Sequence, residues 1–179
     1  MTCIVGMVSN DKVYIGADNI GSNNSQIQSR QDSKVFIKKD MVFGFTTSYR
    51  MGQLIKYQLI IPHRIDKSVE EYMYTDFIES VSKLFETKNY SEISNNVQTG
   101  GTFIVGYQGK IFIVESDFQI VQPSDCYCSV GSGSSFALGS LYANDSSVNK
   151  LATTKIIEAL ECAEYFNPFV RKPFEILSV

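Results

Sequence analysis

Residues 1–18 read MTCIVGMVSNDKVYIGAD, and the way this stretch pairs with itself decides the fold. Two runs rich in apolar and β-branched residues, 2–9 and 12–18, flank Asn10-Asp11. An Asn-Asp pair between two such runs signals a hairpin. A hairpin lays the start of its first strand beside the end of its second. Thr2 and Asp18, polar residues at the two open ends, are therefore expected as neighbours.

The pattern recurs outward. "SKVFIKK" (33–39) and "MVFGFTTS" (41–48) make a second hairpin that turns near Asp40. Between the hairpins, "NIGSNNSQIQSRQD" (19–32) has no periodicity and reads as a loop. After residue 48 the period changes, and Met51, Leu54, Ile55 and Leu59 are spaced for a helix. Ser68 stands three before Glu71, a capping-box pattern, and Val69, Tyr72, Met73, Phe77, Val81, Leu84 and Phe85 make the apolar stripe of a second helix. A polar linker through "SNNVQTGG" (94–101) leads to a third hairpin, "TFIVGYQGKIFIVES" (102–116), with Gly109 in its turn. "DFQIVQP" (117–123) and "CYCSVG" (126–131) read as two more strands. "SGSSFALGSLYA" (132–143) opens a short helix with Ser132 or Ser134 as N-cap. Residues 146–166 form a longer helix with Val148, Leu151, Ala152, Ile156, Ala159, Leu160 and Ala163 on one face, and 169–179 a final strand.

Hairpins imply antiparallel sheets, and the element order ββββ-αα-ββββ-αα-β gives two groups of strands with two helix pairs. The expected class is α+β: a four-layer α/β/β/α sandwich of two antiparallel sheets flanked by helices. No repeat, low-complexity block or composition break divides the chain, so residues 1–179 are expected to form one domain.

Bulk properties exclude several function classes. The chain has 179 residues, 44% hydrophobic and 20% charged, with net charge −3, which is globular composition. No basic stripe argues for nucleic acid. No apolar run approaches the ~20 residues of a membrane helix. No cationic leader with an apolar segment precedes the strand run, so a cytoplasmic protein is expected. The four cysteines are Cys3, Cys126, Cys128 and Cys162. In an alternating strand both sulfurs of "CYC" would face one side, as small buried hydrophobes. Partner ligands for a metal are missing, and no cofactor is expected. The single histidine, His63, lies in "IIPHRID", which reads as a loop between helices, so a histidine-based triad would have to use it.

Thr2, Asp18 and Lys34 are polar residues at the ends of apolar strands. Taken singly each has a bland reading: an ordinary second residue, a turn former, a solvated charge. Together they form a nucleophile set. A threonine hydroxyl needs a base, and a free α-amino group with pKa about 7.7–8.0 supplies one if threonine comes first. An adjacent ammonium favours the developing alkoxide, and a carboxylate keeps that ammonium charged and placed. The glycine-rich turn in "SVGSGSSF" (129–136) lacks the Lys-Ser/Thr ending of a phosphate loop and the third glycine of a dinucleotide fingerprint.

With these residues in view, the chain resembles the N-terminal-nucleophile hydrolases of the proteasome β-subunit and HslV peptidase type. The spacing of Thr2, Asp18 and Lys34, the "KVYIGAD" strand, the "SKVFIKKDMVFGFTTS" hairpin and the "VGSGSSFALGSLYA" turn and helix carry the likeness, which covers nearly the whole chain. The resemblance implies that Thr2 is the nucleophile once Met1 is removed, with its own amine as base. It implies that Asp18 and Lys34 tune it, that Ser132 relays protons beside the amine, and that the backbone N–H of Thr47 stabilises the oxyanion. It implies amide hydrolysis of a peptide or unfolded-protein substrate, a homo-oligomeric ring and an AAA+ ATPase partner. The chain departs from the family at the oxyanion turn, where "FTTS" replaces a glycine, and after the last long helix, where Tyr165 and Asn167 stand in place of an aspartate and a serine. An inactive assembly or binding subunit, and an amidase acting on a small amide, are the alternative expectations.

Overall fold

The computed structural model describes residues 2–22, 26–145 and 150–179. The chain opens with β1 (Cys3–Ser9) and β2 (Lys12–Asp18), followed by β3 (Ile20–Ser22) and β4 (Ile27–Ser29). Next come β5 (Val35–Lys38), β6 (Met41–Phe45) and α1 (Tyr49–Gln58). α2 (Val69–Tyr72) runs through a π-helical turn (Met73–Phe77) into α3 (Ile78–Thr87). β7 (Glu92–Ser94), β8 (Val97–Thr99), β9 (Phe103–Tyr107), β10 (Lys110–Val114), β11 (Ile120–Val121) and β12 (Tyr127–Gly131) precede α4 (Ser134–Asn144), α5 (Ala152–Phe166) and β13 (Phe174–Ser178).

Two antiparallel sheets form the centre, a four-stranded one in the order β12-β1-β2-β13 and a five-stranded one in the order β11-β10-β9-β6-β5. The opening hairpin closes as expected, Ile4 opposite Ala17 and Ser9 opposite Lys12. Asn10 and Asp11 both take positive φ, 51° and 59°, the twist a two-residue hairpin turn demands.

Three apolar layers hold the stack together. Ile4, Val13, Ile15, Val35, Val42 and Ile104 pack between the sheets. Phe36, Phe43, Phe77, Phe85 and Phe103 pack the five-stranded sheet against the helices from α1 to α3. Cys3, Val5, Ile156, Ala159, Leu160 and Ala163 pack the four-stranded sheet against α4 and α5. A strand covered on both faces must be apolar throughout, which is why "MVFGF" is buried at every position. The sheets approach closely at Gly44, where a Cβ would sit 2.6 Å from methyls of Ile4 and Ile15. The observed architecture is the expected four-layer sandwich.

Local differences have physical causes. The stretch 19–32, read as a loop, contains the β3–β4 ribbon with Ile20 opposite Ser29, and the linker around 94–101 contains β8 paired with β7. β4 and β7 are exposed at every position, so no face of either had to be apolar and no alternation marked them. Ser68 caps α2 through Glu71 N–H at 3.0 Å, as read. At α4 neither Ser132 nor Ser134 caps; Gly133 occupies that position, without a side-chain cap. The α5 stripe starts at Ala152, because Leu151 precedes the helix and is 72% exposed; Val148 lies outside the described residues. Cys128 is buried in β12 while Cys126 precedes the strand and is exposed, so the expectation of two buried sulfurs holds for Cys128 alone. His63 is exposed on the segment between α1 and α2.

Candidate active site

Thr2 immediately precedes β1, Asp18 ends β2, and the hairpin sets them side by side. Asp18 is fully buried, a position that a carboxylate holds only when its oxygens are satisfied. Oδ1 accepts the Thr2 hydroxyl and, at 2.8 Å, the Cys3 N–H. Oδ2 accepts Lys34 Nζ at 2.7 Å.

Lys34 arrives from the other sheet. It precedes β5, an edge strand of the five-stranded sheet, and its side chain crosses the sandwich; its carbonyl accepts Phe45 N–H at 3.0 Å. Nζ donates to Thr2 Oγ1 at 2.6 Å. Proton directions in the triangle are consistent: the ammonium donates to the threonine oxygen, and the threonine hydroxyl donates to the carboxylate. Burial holds the Lys34 ammonium below its usual pKa, with Asp18 pulling it back up. Such an arrangement lowers the cost of negative charge on Thr2 Oγ1.

The glycine-rich turn after β12 closes over the Thr2 backbone. Thr2 N–H donates to Ser132 Oγ at 3.2 Å, and Gly133 N–H donates to the Thr2 carbonyl at 3.2 Å. Gly131 has φ +98°, and a Cβ there would stand 2.4 Å from the Thr2 carbonyl oxygen, so only glycine fits. Asn167, a buried residue just after α5, donates to the Ser132 carbonyl at 2.7 Å and accepts Phe169 N–H at 2.9 Å. It ties the turn to the end of the long helix. In the sequence it stood out only as a departure from the resembled family after the last long helix and as half of an Asn-Pro pair, an ordinary turn marker.

Thr47 lies in the turn between β6 and α1, on the cleft that also contains Thr2. Its φ is +61°, a left-handed conformation that glycine adopts freely and threonine does not. A clamp holds it there. Thr47 Oγ1 accepts Thr102 N–H at 3.2 Å, and Thr46 N–H donates to the Thr102 carbonyl at 3.1 Å. The Thr47 N–H has no backbone partner among the described residues.

The cleft measures about 640 Å³ and is lined by Ile20, Arg30, Phe45 and Tyr49 as well as Thr2 and Thr47. Arg30, which the sequence did not single out, stacks on the Tyr49 ring at 3.8 Å and pairs with Asp32 through Nε and Nη2. Among the described residues no group of three or more His, Cys, Asp or Glu is placed to hold a metal ion. No helix among them is long and apolar enough to cross a membrane.

No protein-family model matches the sequence, and no curated protein matches it. Solved structures do match. The Thiobacillus denitrificans protein BPH, in complex with epoxomicin, superposes with TM-score 0.82 at 16% identity, covering 99% of this chain and 97% of that one. HslV from Trypanosoma brucei gives TM-score 0.70 at 16% identity, with 98% of each chain covered. The Anbu complex of Pseudomonas aeruginosa, solved as a helical assembly, gives 0.70 at 14% identity over 99% of this chain and 80% of that one. End-to-end coverage at TM-scores from 0.70 to 0.82 gives this chain the fold of the proteasome-like proteins HslV, Anbu and BPH, the N-terminal-nucleophile type.

Proposed function

We propose that the protein is a threonine peptidase that cleaves amide bonds through an acyl-enzyme on Thr2 after Met1 is removed. The observation that carries this reading is the buried Lys34 ammonium, bonded at once to Thr2 Oγ1 and to Asp18. A buried lysine costs stability without a partner, and one placed on a threonine hydroxyl suits a nucleophile better than a scaffold.

In the proposed mechanism, removal of Met1 turns the Thr2 nitrogen, which already faces Ser132 Oγ, into a free amine. The Thr2 hydroxyl turns from Asp18 to that amine and gives up its proton to it while Oγ1 bonds to the substrate carbonyl carbon. Lys34 stabilises the charge on Oγ1, and the Thr47 N–H donates to the carbonyl oxygen as it becomes negative. The C–N bond then breaks, the departing amine takes the proton from the α-ammonium, and an ester remains on Thr2. Water, deprotonated by the same amine, hydrolyses the ester and restores the site. Ser132, held by Asn167, steadies the amine and passes protons.

The cleft of about 640 Å³ that holds Thr2 has room for a peptide residue with its side chain. We propose peptide or unfolded-protein substrates, a homo-oligomeric ring and an AAA+ ATPase partner; the helical assembly reported for Anbu supports self-association. Hydrolysis of fluorogenic peptides by the processed protein tests the activity. Turnover lost in Thr2→Ala and retained in His63→Ala supports the reading, and equal turnover by Thr2→Ala rejects it. A strictly monomeric mass in solution argues against the ring.

A further inference from the structure

The walls of the cleft hold information about what enters it. Ile20, Phe45 and the Tyr49 ring supply apolar surface. Arg30 and Lys34 are the charged residues lining it, and no Asp or Glu does so among the described residues. Lys34 is already engaged by Thr2 and Asp18 and is almost fully buried. Arg30 is not spent in the same way. Its side chain keeps 27% exposure, and its bonds to Asp32 use Nε and Nη2, which leaves the Nη1 edge of the fork outside the pair. Asp32 is not part of the cleft wall.

Position follows from the Tyr49 ring. The guanidinium carbon is 3.8 Å from the ring centroid and Lys34 Nζ is 5.9 Å from it, so Arg30 and the ammonium at Thr2 share the Tyr49 ring as a common neighbour and lie no farther apart than the sum of those distances. Thr2 itself lines this cleft, so a substrate whose carbonyl carbon meets Thr2 Oγ1 lies against the cleft wall. A short methylene stem there runs along apolar surface and brings its tip toward the guanidinium. The pair with Asp32 and the stacking on Tyr49 fix the fork in place, which reduces the entropy lost on binding.

We propose that Arg30 makes the cleft selective for peptides with glutamate at the residue whose carbonyl Thr2 attacks. The stem packs against Ile20, Phe45 and Tyr49, and the carboxylate accepts from the free edge of Arg30. The inference rests on the reading of Thr2 as nucleophile.

The test uses processed protein and four fluorogenic peptides that differ only at the residue before the leaving group: Glu, Gln, Leu or Lys. The expected result is a kcat/KM for Glu about 10-fold above Leu, the worth of one hydrogen bond to a charged group. Arg30→Gln should lower the Glu-to-Leu ratio about 10-fold. Asp32→Asn, which keeps Arg30 but removes one of the two contacts that fix its fork, should lower that ratio by less than Arg30→Gln does. Preference for Leu or Lys in the wild type, or an unchanged ratio in Arg30→Gln, overturns the inference. Labelling of Thr2 by an epoxyketone separates the two readings: an adduct without glutamate preference overturns selectivity and leaves the nucleophile standing. Neither adduct nor turnover overturns both.

Discussion

Lys34 Nζ stands 2.6 Å from Thr2 Oγ1, across a sequence separation of 32 and from the opposite sheet of the sandwich. Neither residue is placed by its own strand alone. The hairpin fixes Thr2 against Asp18, and the stacking of the two sheets delivers the ammonium.

Removing that ammonium should separate chemistry from folding. Lys34→Met leaves Asp18 buried with its cation gone, a loss of about 3–5 kcal/mol by the usual cost of breaking a buried pair. Lys34→Met combined with Asp18→Asn should recover much of that stability in denaturant titrations. Both variants should lose at least ~100-fold in the rate of Thr2 acylation, the scale of one electrostatic stabiliser. Acylation at the wild-type rate by either variant contradicts the role given to Lys34.

Asp18 sets the pH range over which Lys34 stays charged. Burial lowers the Lys34 pKa and Asp18 raises it, so neutralising the carboxylate must lower it further. Asp18→Asn should therefore move the basic limb of the activity profile to lower pH. The pH dependence of kcat/KM checks the sign, and a limb that moves to higher pH or stays put contradicts it.

At Thr47 the backbone matters more than the hydroxyl. Thr47→Gly loses the bond from Thr102 N–H but adopts the φ of +61° without the cost of ~1–2 kcal/mol that other residues meet there. It should acylate within a few-fold of wild type. Thr47→Pro removes the N–H and forbids that φ, and should lose ~100-fold or more. Comparison of kcat in the two variants tests the oxyanion assignment.

The thiols give an independent check on the layers. Burial pushes the Cys3 and Cys128 thiols up to about 12, whereas Cys126 is exposed. Iodoacetamide at pH 8 should label Cys126 first and leave Cys3 and Cys128 unmodified until the protein unfolds. The linkage has a definite sign. Unfolded thiols ionise near about 8.5, so the contribution of these two groups is complete below that pH and is lost as pH rises through about 12. Peptide mapping after timed labelling reads the first effect and alkaline denaturation the second.

Much of this was legible because strands covered on both faces must be apolar, so that polar residues at their ends stand out. Thr2, Asp18 and Lys34 were visible for that reason, and the Asn10-Asp11 turn brought two of them together. That Lys34 comes from the facing sheet was not visible, since strand-local patterns carry no information on which sheet a hairpin joins. Arg30 and Tyr49 were missed as site residues, and Asn167 was noted only as a departure from the family pattern. Arg30 follows an exposed ribbon and Tyr49 opens α1 ahead of its apolar positions, so no period distinguishes either from solvated surface. The β3–β4 and β7–β8 ribbons were missed for the same reason, and the left-handed φ of Thr47 could not be read from a residue that ordinarily avoids it.

The central claim is that Thr2, freed of Met1, is the nucleophile. The direct measurement is the intact mass of protein from its native host before and after an epoxyketone such as epoxomicin, with the modified residue mapped by peptide sequencing. The expected result is a chain that begins at Thr2 and a single adduct on that residue, formed at least ~100-fold more slowly in Lys34→Met. A chain that keeps Met1 in its host, or a processed chain that gains no adduct on Thr2, would contradict it.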